Sequence, residues 1–175
     1  MSDQLPGGAA SGPLAVEVTV IVAAGAWASP EKLEPLVGAA AGAVIAELDL
    51  RSGTSELGVT FSDDESIRAL NRQWRGKDKP TNVLSFPAFP DQSLDRIPPM
   101  LGDIVLAFET VRREAGLEEK PFDHHLSHLL VHGLLHLLGY DHETDDDADH
   151  MEATERRVLA RLGIADPYAA TDRSE

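Results

Sequence analysis

The sequence predicts an α/β (α+β) fold: a small mixed four-stranded sheet covered by about five helices, with a metal site on a central apolar helix. Three observations lead there. Strand-like and helix-like segments alternate along the first half of the chain and give way to helices in the second, which is the order of a layered domain. The 175 residues are 42% hydrophobic, enough to bury one core. Finally, between His128 and His142 an apolar helical run carries histidines on one face, stops at a glycine and turns back to present another.

Taken in order, residues 1–13 are small and turn-rich and read as a disordered leader, before a single domain over 14–168 and a tail at 169–175. Val16, Val18, Val20 and Val22 alternate with Glu17, Thr19 and Ile21. That is a strand, expected to be covered on both faces near its end. Ser29-Pro30-Glu31 supplies an N-cap, a proline at the first helical position and an early acid, so a helix should run to about Leu48. Its small residues from Gly38 to Ala43 predict close packing on a sheet. Glu56 to Phe61 reads as the second strand. Ser62-Asp63-Asp64-Glu65 then opens a helix through about Trp74, with Ile67, Leu70 and Trp74 on its apolar face.

The polar loop from Arg75 to Asn82 precedes a short strand, Val83 to Phe86, and holds three cations: Arg75, Lys77 and Lys79. From composition alone, a solvated turn and an anion site are equally good readings. Pro87 to Pro99 is proline-rich and reads as a loop or flap. Leu101 to Phe108 is a strand that runs into a helix from Glu109 to about Gly116. The histidine helix begins near Pro121. The acidic run Glu143 to Asp149 opens the last helix, about Asp145 to Leu162, in which His150 is expected to be exposed.

His132 and His136 lie at i and i+4, one turn apart on one face, so both imidazoles can reach one ion. Gly139 sits where a helix stop needs positive φ, and His142 can fold back from it. Three neutral imidazoles with an open fourth position form the ligand set of a catalytic zinc site. A set of His128, His132 and His136 fails, because eight helical residues rise about 12 Å. Local hydrogen bonding is the competing account of any single histidine here. In the zinc-protease pattern H-E-x-x-H the residue after the first histidine is a glutamate base; here it is Gly133, which cannot move a proton. That demotes a peptidase. Close approach of substrate or backbone, or plain helix packing, would account for the glycine.

Composition narrows the field further. With no cysteine there are neither disulfides nor thiolate ligands, in keeping with a reducing cytoplasm. The longest apolar run, Val18 to Ala28, is too short to span a membrane and has no positive region before it. A net charge of −15 repels polyanions at long range, so an RNA substrate would need a local basic patch, the metal or a partner.

Three motifs, H-G-L-L-H-L-L-G-Y-D-H at 132–142, R-G-K-D-K-P-T-N-V-L-S-F-P at 75–87 and L-G-D-I-V at 101–105, resemble in order and spacing those of the YbeY family. These are bacterial metal-dependent endoribonucleases of ribosomal RNA maturation, and the resemblance covers roughly residues 15–168. It implies a cytoplasmic, single-strand-acting endoribonuclease of small-subunit ribosomal RNA 3′-end maturation and ribosome quality control. It implies that His132, His136 and His142 hold one divalent metal ion, Zn2+ first among the choices, and that Arg75 is catalytic and binds a phosphate. The implied partners are ribosomal RNA, the ribosome or its small subunit, and a ribosome-associated GTPase or small-subunit protein, with no membrane. Lys77 and Lys79 would add point charges for substrate. His128 and Asp141 would stand behind the ligands, Asp141 alternatively as a helix-end cap. The rival readings are a metallohydrolase of another anionic substrate and a non-catalytic ribosome-assembly factor with a structural metal.

Overall fold

The structure is a computed structural model and describes residues 12–89 and 97–169. Most of the leader (1–11), part of the proline-rich loop (90–96) and most of the tail (170–175) lie outside the described residues. The leader's last two residues are paired: Pro13 bridges Arg51, and the Gly12 carbonyl accepts from the Ser52 N–H at 2.7 Å.

In chain order the elements are β1 (Ala15–Val22), α1 (Pro30–Leu48), β2 (Thr54–Ser62), α2 (Asp64–Arg75), β3 (Val83–Pro87), β4 (Met100–Ala107), α3 (Phe108–Leu117), α4 (Phe122–Leu137) and α5 (Asp145–Arg161). The four strands form one mixed sheet in the order β1-β2-β4-β3, parallel except for β3, which runs antiparallel to β4. Register lines up the apolar rows: Val20 beside Val59 beside Ile104, and Val22 beside Phe61 beside Leu106. Because side chains alternate along a strand, these rows face one side of the sheet, where α1, α4 and α5 build the main core. Val105 points the other way, into a small cluster with Ile67 of α2, Leu84 and Ala107.

Two local expectations are corrected and a third is narrowed. β1 is not covered on both faces: Val16 to Val22 pack inward on alternate positions, while Ile21 on the other face is 53% exposed. An edge strand that α2 does not reach has no second cover. In α1 the expected close packing holds for Ala40, Ala41 and Ala43, which are buried with Leu33, Val37 and Val44, but not for Gly38 and Gly42, which face open space. In α2, Ile67 is buried, but Trp74 is 63% exposed, because the helix has run past the small cluster by its last turn.

α4 is the central helix, in contact with α1, α3, α5, β3 and β4. Leu126, Leu130, Val131, Leu134 and Leu135 are each at most 3% exposed. Burying each contributes on the order of 2 kcal/mol, which anchors the one polar stripe that α4 keeps. Gly133 allows the helix to lie against the sheet: a Cβ there would stand 3.1 Å from Ser85 Oγ and 3.2 Å from two Ile104 carbons. The Ser85 hydroxyl donates to the Gly133 carbonyl at 3.0 Å. Side chains of the sheet, not a neighbouring helix, make the close approach. Among the described residues no helix is long and apolar enough to cross a membrane.

Candidate metal centre and its cleft

The end of α4 builds the site. Gly139 takes φ +101, its N–H bonds the His136 carbonyl, and the Tyr140 N–H bonds the Leu135 carbonyl, both at 3.0 Å. This paired closure is the Schellman stop, and it needs a residue tolerant of positive φ. The turn brings the Tyr140 carbonyl to 2.9 Å from His136 Nδ1 and returns His142 to the same face. The His142 ring then lies 5.1 Å from that of His136 and 5.9 Å from that of His132.

The hydrogen bonds fix the protons. A carbonyl only accepts, so His136 carries its proton on Nδ1 and leaves Nε2 bare. His132 is set likewise: Nδ1 donates to Glu155 Oε2 at 2.6 Å. The two Nε2 atoms face each other 3.1 Å apart. Burial, then the neighbouring His132 and His142, push His136 down to about 4, so His136 brings no proton of its own to that contact. One ligand atom from each of His132, His136 and His142 lies within 4.8 Å of the other two. Tetrahedral ligation at about 2.1 Å separates ligand nitrogens by about 3.4 Å. Three imidazoles whose ligand atoms converge, one ring backed by a carboxylate and another by a carbonyl, fit a divalent ion.

Glu155 is the residue that sequence reasoning missed. It is fully buried on α5 and accepts from His128 Nε2 at 2.9 Å, from His132 and from the Tyr168 hydroxyl. Burial alone would raise its carboxyl, but the His128 and His132 hydrogen bonds outweigh that and hold it at about 2. The Tyr168 hydroxyl is pushed up by burial and by the carboxylate it meets. A signal for Glu155 did exist: Met151, Thr154, Glu155, Val158 and Leu159 are the buried stripe of α5, so helical periodicity places an acid among apolar positions. His128 spends its Nε2 on Glu155 and so stands behind His132 rather than beside it. Asp141 accepts from the Glu143 N–H at 3.2 Å within the returning turn.

Opposite stands the cation turn. Arg75 ends α2, and Gly76 at φ +71 caps it, its N–H bonding the Arg72 carbonyl at 3.1 Å. Asn71, 1% exposed, donates its amide to the Lys79 carbonyl at 2.9 Å and so pins the turn from beneath. Asp78, the turn's own acid, is taken by Arg68 at 2.9 Å. The Arg75 guanidinium makes no hydrogen bond or ion pair among the described residues. A cleft of about 580 Å³ is lined by Arg75 and Trp74 on one side and by His132, His136 and His142 on the other. Lys77 and Lys79 are exposed on the turn and do not line it.

The sequence model of the family described as Endoribonuclease YbeY matches residues 26–163. The Endoribonuclease YbeY of Rhodopseudomonas palustris strain BisA53 is 54% identical over 165 residues, which is 93% of this chain and 95% of that protein. The protein of the same name from strain HaA2 is 58% identical over 160 residues, 88% of this chain and 82% of its own. That of Nitrobacter hamburgensis is 54% identical over 157 residues, covering 88% and 83%. A Thermotoga maritima protein solved in solution superimposes with a TM-score of 0.51 at 26% identity, over 82% of this chain and 91% of that one.

Proposed function

The chain belongs to the Endoribonuclease YbeY family, and we propose that its metal-dependent endoribonuclease chemistry takes place in the cleft between Arg75 and the three histidines. The observation that carries this reading is the pairing of two unsatisfied halves in one cleft. Two imidazoles of the histidine group offer bare nitrogens to a cation, and an unpartnered guanidinium offers its fork to an anion. Among the described residues no carboxylate lines this cleft, although the chain as a whole carries a net charge of −15. An RNA phosphodiester suits that arrangement.

His132, His136 and His142 hold the ion, which we take to be Zn2+, since three imidazoles suit it and the chain has no cysteine for a softer set. A bound divalent ion supplies Lewis acidity, drawing charge from a phosphoryl oxygen and making water acidic near neutral pH. The chain's own groups do the rest. Glu155 and the Tyr140 carbonyl keep the protons of His132 and His136 on Nδ1, so the nitrogens facing the ion stay unprotonated. Arg75 clamps two phosphate oxygens, which fixes the scissile phosphate relative to the histidines and offsets its charge. Lys77 and Lys79, outside the cleft, meet flanking phosphates.

In the cell the reading is a cytoplasmic enzyme of small-subunit ribosomal RNA 3′-end maturation and ribosome quality control. The family name supports the RNA, and the acidic surface supports delivery by the small subunit or by a bound GTPase or ribosomal protein. Cleavage of a ribosomal RNA fragment by metal-loaded protein, beside Arg75→Ala and His136→Ala, tests it. Loss of cleavage in both variants, with circular dichroism unchanged, is expected; equal cleavage by all three would sink the assignment. Chelation is expected to leave a folded, inactive chain. A chain that unfolds on chelation would favour a structural ion.

A further inference from the structure

We propose that Trp74 is a stacking platform for a base of single-stranded RNA, seating one nucleotide beside the phosphate that Arg75 clamps. The inference rests on the reading of the cleft given above and adds the means by which substrate is captured.

Periodicity on α2 would carry Trp74 onto the inward-facing stripe of Ile67, buried, and Leu70, partly buried. Instead 63% of it is exposed. It meets Phe86 at 6.1 Å between ring centroids and 64° between planes, an edge contact that orients the indole without covering it. The chain's other tryptophan shows what a structural indole looks like here. Trp27 donates its N–H to the Ser62 carbonyl at 2.7 Å and packs against Phe61, Phe108 and Phe122. Trp74 makes no such hydrogen bond among the described residues, and its ring lines the same cleft as Arg75 and the histidines.

Stacking also answers the difficulty that net charge raises. A chain at −15 cannot gather a polyanion by long-range attraction. The face of an indole attracts a base whatever the surrounding charge, and every base offers such a face. In a duplex the bases are already stacked on their neighbours, so a lone indole beside the phosphate clamp selects unpaired strands.

The experiment uses the metal-loaded full-length chain and a short oligoadenylate. Stopped-flow quenching of tryptophan fluorescence reads binding before turnover, and cleavage of the same strand gives kcat and KM. Trp74→Ala is expected to raise KM about tenfold with kcat little changed, and to abolish the quench that Trp27 cannot report. Trp74→Phe should recover most of the affinity. The loss of affinity in Trp74→Ala should be the same at low and high salt, whereas Arg75→Ala should flatten the salt dependence. Removing the base opposite Trp74 with an abasic residue should match the loss seen in Trp74→Ala. If Trp74→Ala binds and cuts like the parent, the stacking proposal fails and the cleft assignment stands. If the parent neither binds nor cuts RNA, the RNA reading of the cleft fails and takes the platform with it.

Discussion

His132 and His136 each spend one ring nitrogen on a fixed partner, Glu155 and the Tyr140 carbonyl, whereas Arg75 across the same cleft has no partner among the described residues. The first wall is half-buried at His132 and His136 and backed by a fully buried carboxylate; the second is exposed, and its turn is held by Asn71 on the Lys79 carbonyl and by the Arg68–Asp78 pair. The difference matches what the proposed function asks of each. A metal ligand works by the direction of one lone pair, and tautomer and ring angle are worth fixing from behind. A phosphate clamp works by charge and a planar fork that is always protonated, so it needs a place and no partner of its own. An acid bonded to Arg75 would compete with the substrate.

Breaking the fixed wall should have the largest effect. His136→Ala removes a ligand without opening the core and is expected to cost about a thousandfold in cleavage, several kcal/mol of lost transition-state stabilisation. Metal analysis and circular dichroism check it: a folded chain that keeps its full ion content would break the assignment.

Glu155→Gln attacks the same wall from behind. Three donors converge on that carboxylate, and a glutamine answers them with one acceptor and an opposing NH2 group. Ion affinity should fall roughly 10- to 100-fold and stability by about 3 kcal/mol. Acid acts on the fixed wall directly. His136 sits near 4 against an ordinary 6.5, and Glu155 near 2 against 4.5. In both windows the unfolded chain binds more protons, so stability falls as pH falls. Urea titration of metal-free protein should show a decline from about pH 6.5 to 4 through His136, continuing from about 4.5 to 2 through Glu155. In Glu155→Gln the lower part of that decline should vanish.

On the free wall, Arg75→Lys keeps the charge and loses the fork. Cleavage should drop about tenfold, less than for Arg75→Ala, with ion content unchanged. A lysine variant as active as the parent would mean that Arg75 acts as a point charge.

How far the two walls can be read from sequence follows the same division. The pair His132 and His136, the stop at Gly139 and the return to His142 are local, and spacing alone brings them together. Glu155 lies 23 residues beyond the histidine it holds, and no local rule links the two. Asn71 is a second case: its hold on the Lys79 carbonyl depends on how the turn folds back over α2. Trp74 departs from its expected place for a different reason. Periodicity tells which side of a helix faces inward, but not where the sheet beneath it ends. Gly133 stands out in the sequence as a cost to the helix, and its cause, Ser85 and Ile104 pressed against α4, belongs to strands far away in sequence.

The smallest expected effect belongs to the lysines on the turn. Lys77 and Lys79 are exposed, lie outside the cleft lining and are held by nothing that the histidine wall depends on. The double variant Lys77→Ala, Lys79→Ala should therefore leave kcat within about twofold and raise KM only a few-fold at low salt, where exposed charges still act across a Debye length of about 10 Å. At high salt the difference should disappear. The slope of log affinity against log salt should become shallower by about 0.7 for each single-strand phosphate that the variant no longer neutralises. A kcat that dropped as far as it does in Arg75→Lys would move the lysines into the clamp itself. The free wall would then be a cluster of cations acting together rather than one arginine with charged neighbours.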